Sequence, residues 1–134
     1  MRTQAVARFV RVSPRKVRLV LRHLQGKPVG EALALLQHIP RAAARPVEKT
    51  LRSAIANAEH NHQVRDLGDL WIEKAVAEEG PRLKRVQPRA MGRAFFIRHR
   101  TSHLTVVLTD ETPERTTGAR AAAAGPKSRA GAKG

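Results

Sequence analysis

Few of the side chains that usually do chemistry stand at spacings that would let them do it. His60 and His62 are two apart in a helical stretch and do not share a face. His99 and His103 are four apart in an extended stretch, too far to share a metal without a third ligand. Glu78 and Glu79 are adjacent in a strand pattern and point to opposite faces, which excludes a paired general acid and base. Ser53 and Ser102 lack a base and an orienting partner in any recognisable pattern. Gly30, the nearest approach to a phosphate loop, stands alone. With no cysteine there are no disulfides, thiolate nucleophiles or cysteine-held zinc or iron–sulfur sites. These residues point away from an enzyme and call for no metal or cofactor.

What the residues do offer is anion binding. The 134 residues carry 26 Lys and Arg against 11 Asp and Glu, a formal charge of +15. Self-repulsion on that scale opposes compaction, so a polyanion is expected in the working state, nucleic acid first and an anionic membrane surface second. Arginine outnumbers lysine 19 to 7, which suits phosphate forks, although a GC-rich coding sequence also favours arginine. The charge is blocked. Residues 2–22 hold seven bases and no acid, residues 66–79 hold five acids and only Lys74, and residues 81–103 hold seven bases and no acid. Blocks this sharp imply two cationic surfaces flanking a conventional core.

The elements that must carry those surfaces follow from hydrophobic spacing. Residues 3–12 have the composition of a strand. Ser13-Pro14 is a helix start, with serine as N-cap and proline in the first turn. Val17, Val20, Leu21 and Leu24 then share one helical face, Arg15, Arg18 and Arg22 form a stripe opposite, and Gly26 is a C-terminal stop. Arg15, Lys16 and Arg18 stand where the helix dipole disfavours cations, a conflict that a phosphate at that end would relieve. A second helix is expected over 29–37, ended by Pro40. A third is expected over 42–62, with an apolar stripe of Ala44, Val47, Leu51, Ala54, Ile55 and Ala58. Asn57, a weak helix former in that stripe's margin, is expected to bond a neighbouring loop or sheet edge.

Residues 69–77 and 103–109 alternate as strands, the first with Leu70, Ile72 and Val76 inward and Lys74 the exception, the second with Leu104, Val106 and Leu108 inward. One long hairpin with its tip near Ala90 joins them. A register in which partner numbers sum to about 180 pairs Ile72 with Leu108 and Val76 with Leu104. From about 79 to 101 the arms have no core and reach roughly 35 Å at about 3.3 Å per residue. A free ribbon of that length is marginal in water, so an anionic, base-lined crevice is expected to hold it. Gly80-Pro81 is a turn signal inside this stretch.

Domain organisation is accordingly a body over residues 1–110, hairpin included, followed by a disordered basic tail over 111–134, whose Thr, Ala, Gly, Pro, Arg and Lys offer no large apolar residue to bury. No apolar run approaches the roughly 18–20 residues that span a bilayer, and the first residues lack the apolar core of a secretory leader. A cytoplasmic chain without membrane insertion is expected.

Three segments carry a family resemblance: Ser13-Pro14-Arg15-Lys16-Val17-Arg18; Ser53-Ala54-Ile55-Ala56-Asn57-Ala58-Glu59-His60-Asn61; and Lys84 through Arg89-Ala90-Met91-Gly92-Arg93 to Thr101-Ser102-His103-Leu104-Thr105-Val106-Val107-Leu108. In this order, over roughly residues 3–110, they resemble the large-subunit ribosomal protein twenty-two family in its bacterial form. The resemblance implies an α+β fold of three helices packed on a three-stranded antiparallel sheet with a long protruding hairpin. It implies a ribosome-bound structural protein that contacts 23S rRNA and neighbouring large-subunit proteins and takes part in early assembly. It further implies that Gln87, Pro88, Arg89, Ala90, Met91, Gly92 and Arg93 form a tip lining the nascent-polypeptide tunnel, where changes alter macrolide response and stalling.

On this reading Arg11, Arg15, Lys16, Arg18 and Arg22 bind rRNA phosphates at the body, Arg82, Lys84, Arg85, Arg98 and Arg100 do so along the hairpin, and His103 also binds rRNA. Two other classes remain possible from charge alone. An architectural DNA-binding protein would be a symmetric dimer with similar affinity for DNA and RNA. A membrane-active cationic protein would need aromatic anchors, and the chain has three Phe, one Trp and no Tyr.

Overall fold

In the computed structural model, which describes residues 1–112, the chain folds as three helices and three strands. The expected tail falls outside the described residues from 113 onward. The elements are β1 (Arg2–Val10), α1 (Pro14–Leu21), α2 (Val29–His38), α3 (Ala44–His62), β2 (Trp71–Pro88) and β3 (Ala94–Thr109), with short 3-10 turns at Leu67–Asp69 and Ala90–Gly92. The sheet is antiparallel throughout, in the order β1-β3-β2. It is the α+β architecture with a long hairpin that the sequence implied.

Alternation along β3 sets the core. Leu104, Val106 and Leu108 are buried, and their cross-strand neighbours Ala7, Ala5 and Thr3 on β1 and Ala77, Ala75 and Ile72 on β2 share that face. Against this face lie the stripe of α3, in which all six expected residues are buried, and Val17, Val20, Leu21 and Leu24 of α1 and the turns after it. Truncating one of the large fully buried residues, such as Leu104, costs about 2–5 kcal/mol. Pro46 falls in the first turn of α3, where its missing N–H leaves no bond unmade. Asn57 Nδ2 donates to the Gln4 carbonyl at 3.1 Å, tying α3 to β1 as its position suggested.

The outer edge of β2 is covered by α1 and the chain after it. Gly26 N–H donates to the Ile72 carbonyl, Ile72 N–H to the Lys27 carbonyl, and Val29 N–H to the Leu70 carbonyl. Gln25 Nε2 donates to the Ala75 carbonyl at 3.0 Å. The exposed ladder that invites edge-to-edge association is thereby closed along the body.

Several boundaries and pairings differ from the expectation. β1 ends at Val10 rather than 12, one residue past an irregularity between Ala7 and Val10 in which Phe9 adopts φ 57. α1 ends at Leu21; Gly26, with φ 72, closes the irregular turns beyond it rather than the helix itself. Ser13 caps α1 through its carbonyl, which accepts from Lys16 and Val17, and not through its hydroxyl. β2 starts at Trp71, and Ile72 pairs with Leu108 as expected. A bulge between Ile72 and Lys74 then moves the register by one, so Val76 pairs with Thr105 and Ala77 with Leu104. Ala75 and Ala77 thus hold the core places expected of Val76, and Lys74 ceases to be an exception to the alternation.

Candidate nucleic-acid interface

Past Glu79 the two hairpin strands leave the body. A second bulge lies between Glu79 and Arg82, and it contains Gly80-Pro81, the pair that resembled a turn. Pro81 is tolerated because β2 is an edge strand, and its carbonyl accepts from Thr101 Oγ1 at 2.7 Å. The ladder then resumes without interruption from Arg82↔Arg100 to Pro88↔Ala94.

This register sorts the arms into two faces. Arg82 opposes Arg100 and Lys84 opposes Arg98, with Val86 and Phe96 beyond them. By alternation along β3, Arg98 and Arg100 continue the face that holds Ser102, Leu104, Val106 and Leu108 in the body. The core face of the sheet thus runs outward into a cationic one. Like charges directly opposite each other destabilise a ribbon; Arg82 and Arg100 share the carboxylate of Glu79 at its base, and Lys84 and Arg98 further out need a counter-charge from outside the chain. The other face carries Leu83, Arg85 and Gln87 against His99, Ile97 and Phe95. Nearly every residue from Pro81 to Arg100 is exposed, including Val86 at 61% and Phe96 at 66%.

The cationic face meets α1 at the base of the hairpin. A groove of about 740 Å³ is lined by Ser13, Pro14, Arg15, Arg18, Leu19, Arg22, Glu79 and Arg100. A second, of about 430 Å³, is lined by Arg11, Ser13, Lys16, Arg98, His99, Arg100 and Thr101 and holds no acid. Of the sequence-predicted residues, the fold therefore brings Arg11, Arg15, Lys16, Arg18, Arg22, Arg98 and Arg100 together. Arg82 and Lys84 extend that surface along the ribbon, and Arg85 lies on the opposite face.

Two of these residues have duties that the sequence did not reveal. Arg18 Nε and Nη2 both donate to the Ala77 carbonyl, at 3.1 and 3.0 Å, so its fork is spent on β2. His103 lies on the body, where its Nδ1 accepts from the Phe9 N–H at 3.1 Å. Glu79, which the sequence suggested only as half of an excluded acid–base pair with Glu78, stands at the margin of the basic block 81–103. It takes Arg82 at 3.0 Å and Arg100 at 3.9 Å. The hydrogen bond and charge of Arg82, helped by Arg100 and Arg18, hold its carboxyl below the ordinary value of 4.5.

At the tip, Gln87 and Pro88 are still strand residues paired with Phe95 and Ala94, and the turn proper runs from Arg89 to Arg93. Arg89 N–H donates to the Arg93 carbonyl at 2.7 Å. Met91 and Gly92 take consecutive left-handed conformations, φ 62 and φ 66, and the Met91 side chain is 93% exposed. Arg89, Ala90, Met91, Arg93 and Phe95 line an open hollow of about 750 Å³. Among the described residues no group of three or more His, Cys, Asp or Glu is placed to hold a metal, and no helix is long and apolar enough to cross a membrane.

A three-helix body on an antiparallel sheet with a protruding cationic ribbon defines a small α+β protein built around an extension rather than a pocket. A family model described as Ribosomal protein L22p/L17e matches residues 5–109, which take in all three helices and the whole hairpin. The chain belongs to the ribosomal protein L22p/L17e family, a structural and non-enzymatic family, and is a constituent of the large ribosomal subunit.

Proposed function

We propose that this chain binds 23S rRNA through the continuous cationic surface from α1 to the hairpin, assists early assembly of the large subunit, and lines the nascent-polypeptide tunnel with its hairpin tip. The observation that carries the reading is the hairpin itself. Its arms are fully laddered yet have no protein to pack on, and one face opposes Arg82 to Arg100 and Lys84 to Arg98. Phosphates offset that repulsion, and bases and sugars offer contact to Val86, Phe96, Ile97 and Phe95. The ribbon is narrow enough to enter a crevice that the body cannot, which leaves Arg89–Arg93 as the part to meet nascent chain and, near the tip, macrolides. The body and ribbon over 1–110 act as one rRNA-binding unit in this reading.

The test is sedimentation of a lysate from cells expressing a tagged copy through a high-salt sucrose gradient. Co-migration with the large subunit after the salt wash is expected. Protein left at the top of the gradient overturns the reading and favours non-specific, counter-ion-driven binding. Deleting Met91-Gly92-Arg93 is expected to leave incorporation intact while altering drug response or stalling; loss of incorporation would make the tip structural instead.

A further inference from the structure

The hairpin is not the only place where an aromatic side chain stands in solvent. Phe9, the one phenylalanine of the body, is 63% exposed and lies in the β1 irregularity between Ala7 and Val10. Its φ of 57 is a genuine outlier for a bulky side chain. Such a conformation persists only where the surroundings impose it. Here they do: the Phe9 N–H is fixed by His103 Nδ1 at 3.1 Å, and the His103 ring stands edge-on to the phenyl ring, 5.1 Å between centroids at 87°. The strained backbone does not deliver the ring into the core. It holds the ring out, oriented by a histidine 94 residues away in sequence. Arg8 and Arg11, both exposed, flank it on the chain.

We infer that Phe9, backed by His103, is a stacking platform for one unpaired RNA base, with Arg8 and Arg11 holding the phosphates on either side. The inference rests on the rRNA-binding reading and adds a base contact on the body to it. An exposed, rigidly oriented aromatic ring between cations is the arrangement that takes a splayed-out base, because every base presents a π face. His103 is then a positioning residue rather than a phosphate ligand. With Nδ1 accepting, the neutral ring carries its proton on Nε2.

The experiment is filter binding of the full chain to a 23S rRNA transcript over a range of salt. Phe9→Ala is expected to lose about 5- to 150-fold in affinity, the range found for one stacked base. The slope of log affinity against log salt is expected not to change, since no charge is removed. Phe9→Gly serves as the folding control: it relieves the positive φ, so its thermal midpoint is expected to equal or exceed wild type while its affinity falls like that of Phe9→Ala. Phe9→Trp is expected to retain binding, with fluorescence quenched beyond any change from Trp71 in the wild type. Wild-type affinity in Phe9→Ala and Phe9→Gly overturns the inference alone. Failure of the wild-type chain to bind the transcript overturns the rRNA-binding reading and this one with it.

Discussion

Thr101 Oγ1 lies 2.5 Å from the point that a Cβ on Gly80 would occupy, and from there it donates to the Pro81 carbonyl. The Thr101 backbone carbon and oxygen lie 3.3 Å from the same point, so rotating the side chain away does not clear the space. Gly80→Ala is expected to cost about 1–3 kcal/mol through overpacking and the lost hydrogen bond, read as a lower thermal midpoint. Adding Thr101→Ala should recover part of the loss. A Gly80→Ala variant as stable as wild type would show that the two strands are not held this closely.

Arg15 and Arg18 look equivalent on a helical wheel, but only Arg18 is bonded to the sheet. Arg18→Ala is expected to lower stability by about 1–2 kcal/mol and to loosen α1 from β2. Arg15→Ala should leave the denaturation midpoint within about 0.5 kcal/mol of wild type and act only on RNA binding and its salt slope. Equal midpoints for the two variants would count against the distinction.

Amide exchange should divide the hairpin in the free protein. Leu104, Val106 and Leu108 are buried between β1 and β2, whereas the ladder beyond Arg82 is two strands wide and solvated on both faces. Protection is expected to be high from 104 to 108 and to fall off sharply from 82 to 100. Uniform protection along β3 would mean that the arms are stable without a partner.

Acid should act through two carboxylates. Arg82 holds Glu79 below its ordinary value, and the N-terminal ammonium of Met1 does the same to Asp110, whose ordinary value is 3.8. A depressed folded-state value means that each contact contributes above the unfolded value and is lost as pH falls through the folded one. Glu79→Gln should flatten the decline in thermal midpoint below about pH 4.5 and Asp110→Asn below about pH 3.8, with little change in slope near neutrality. An acid limb identical to wild type in both variants would assign the decline to other groups.

Much of this architecture was legible because it rests on local periodicity. The buried face of α1, the stripe of α3 and the pairing of Ile72 with Leu108 follow from spacing alone. The pairing of Val76 was misplaced because a bulge adds a residue to one strand without a composition signal strong enough to locate it. Lys74, the residue that broke the alternation, was its only trace. Gly80-Pro81 carried a clear signal of the wrong kind, since a turn and a strand bulge draw on the same residues. The cationic surface was legible from charge blocks. The bonds that commit Arg18 to Ala77 and His103 to Phe9 were not, because they join residues 59 and 94 apart in the chain.

The strand order carries a consequence for biosynthesis. β1 is made first, and its ladder partner is β3, the last strand of the described chain. β2 cannot stand in for it, because β3 lies between them. A chain still being translated can wind its helices as they emerge, but the sheet against which they pack closes only once residues 102–109 are available. Loop closure over such a separation is slow, and until it occurs the apolar faces of α1 and α3 have no sheet to cover them. The sheet therefore cannot close before β3 has been made, and the interval before closure is when the chain depends most on chaperones or on capture by RNA.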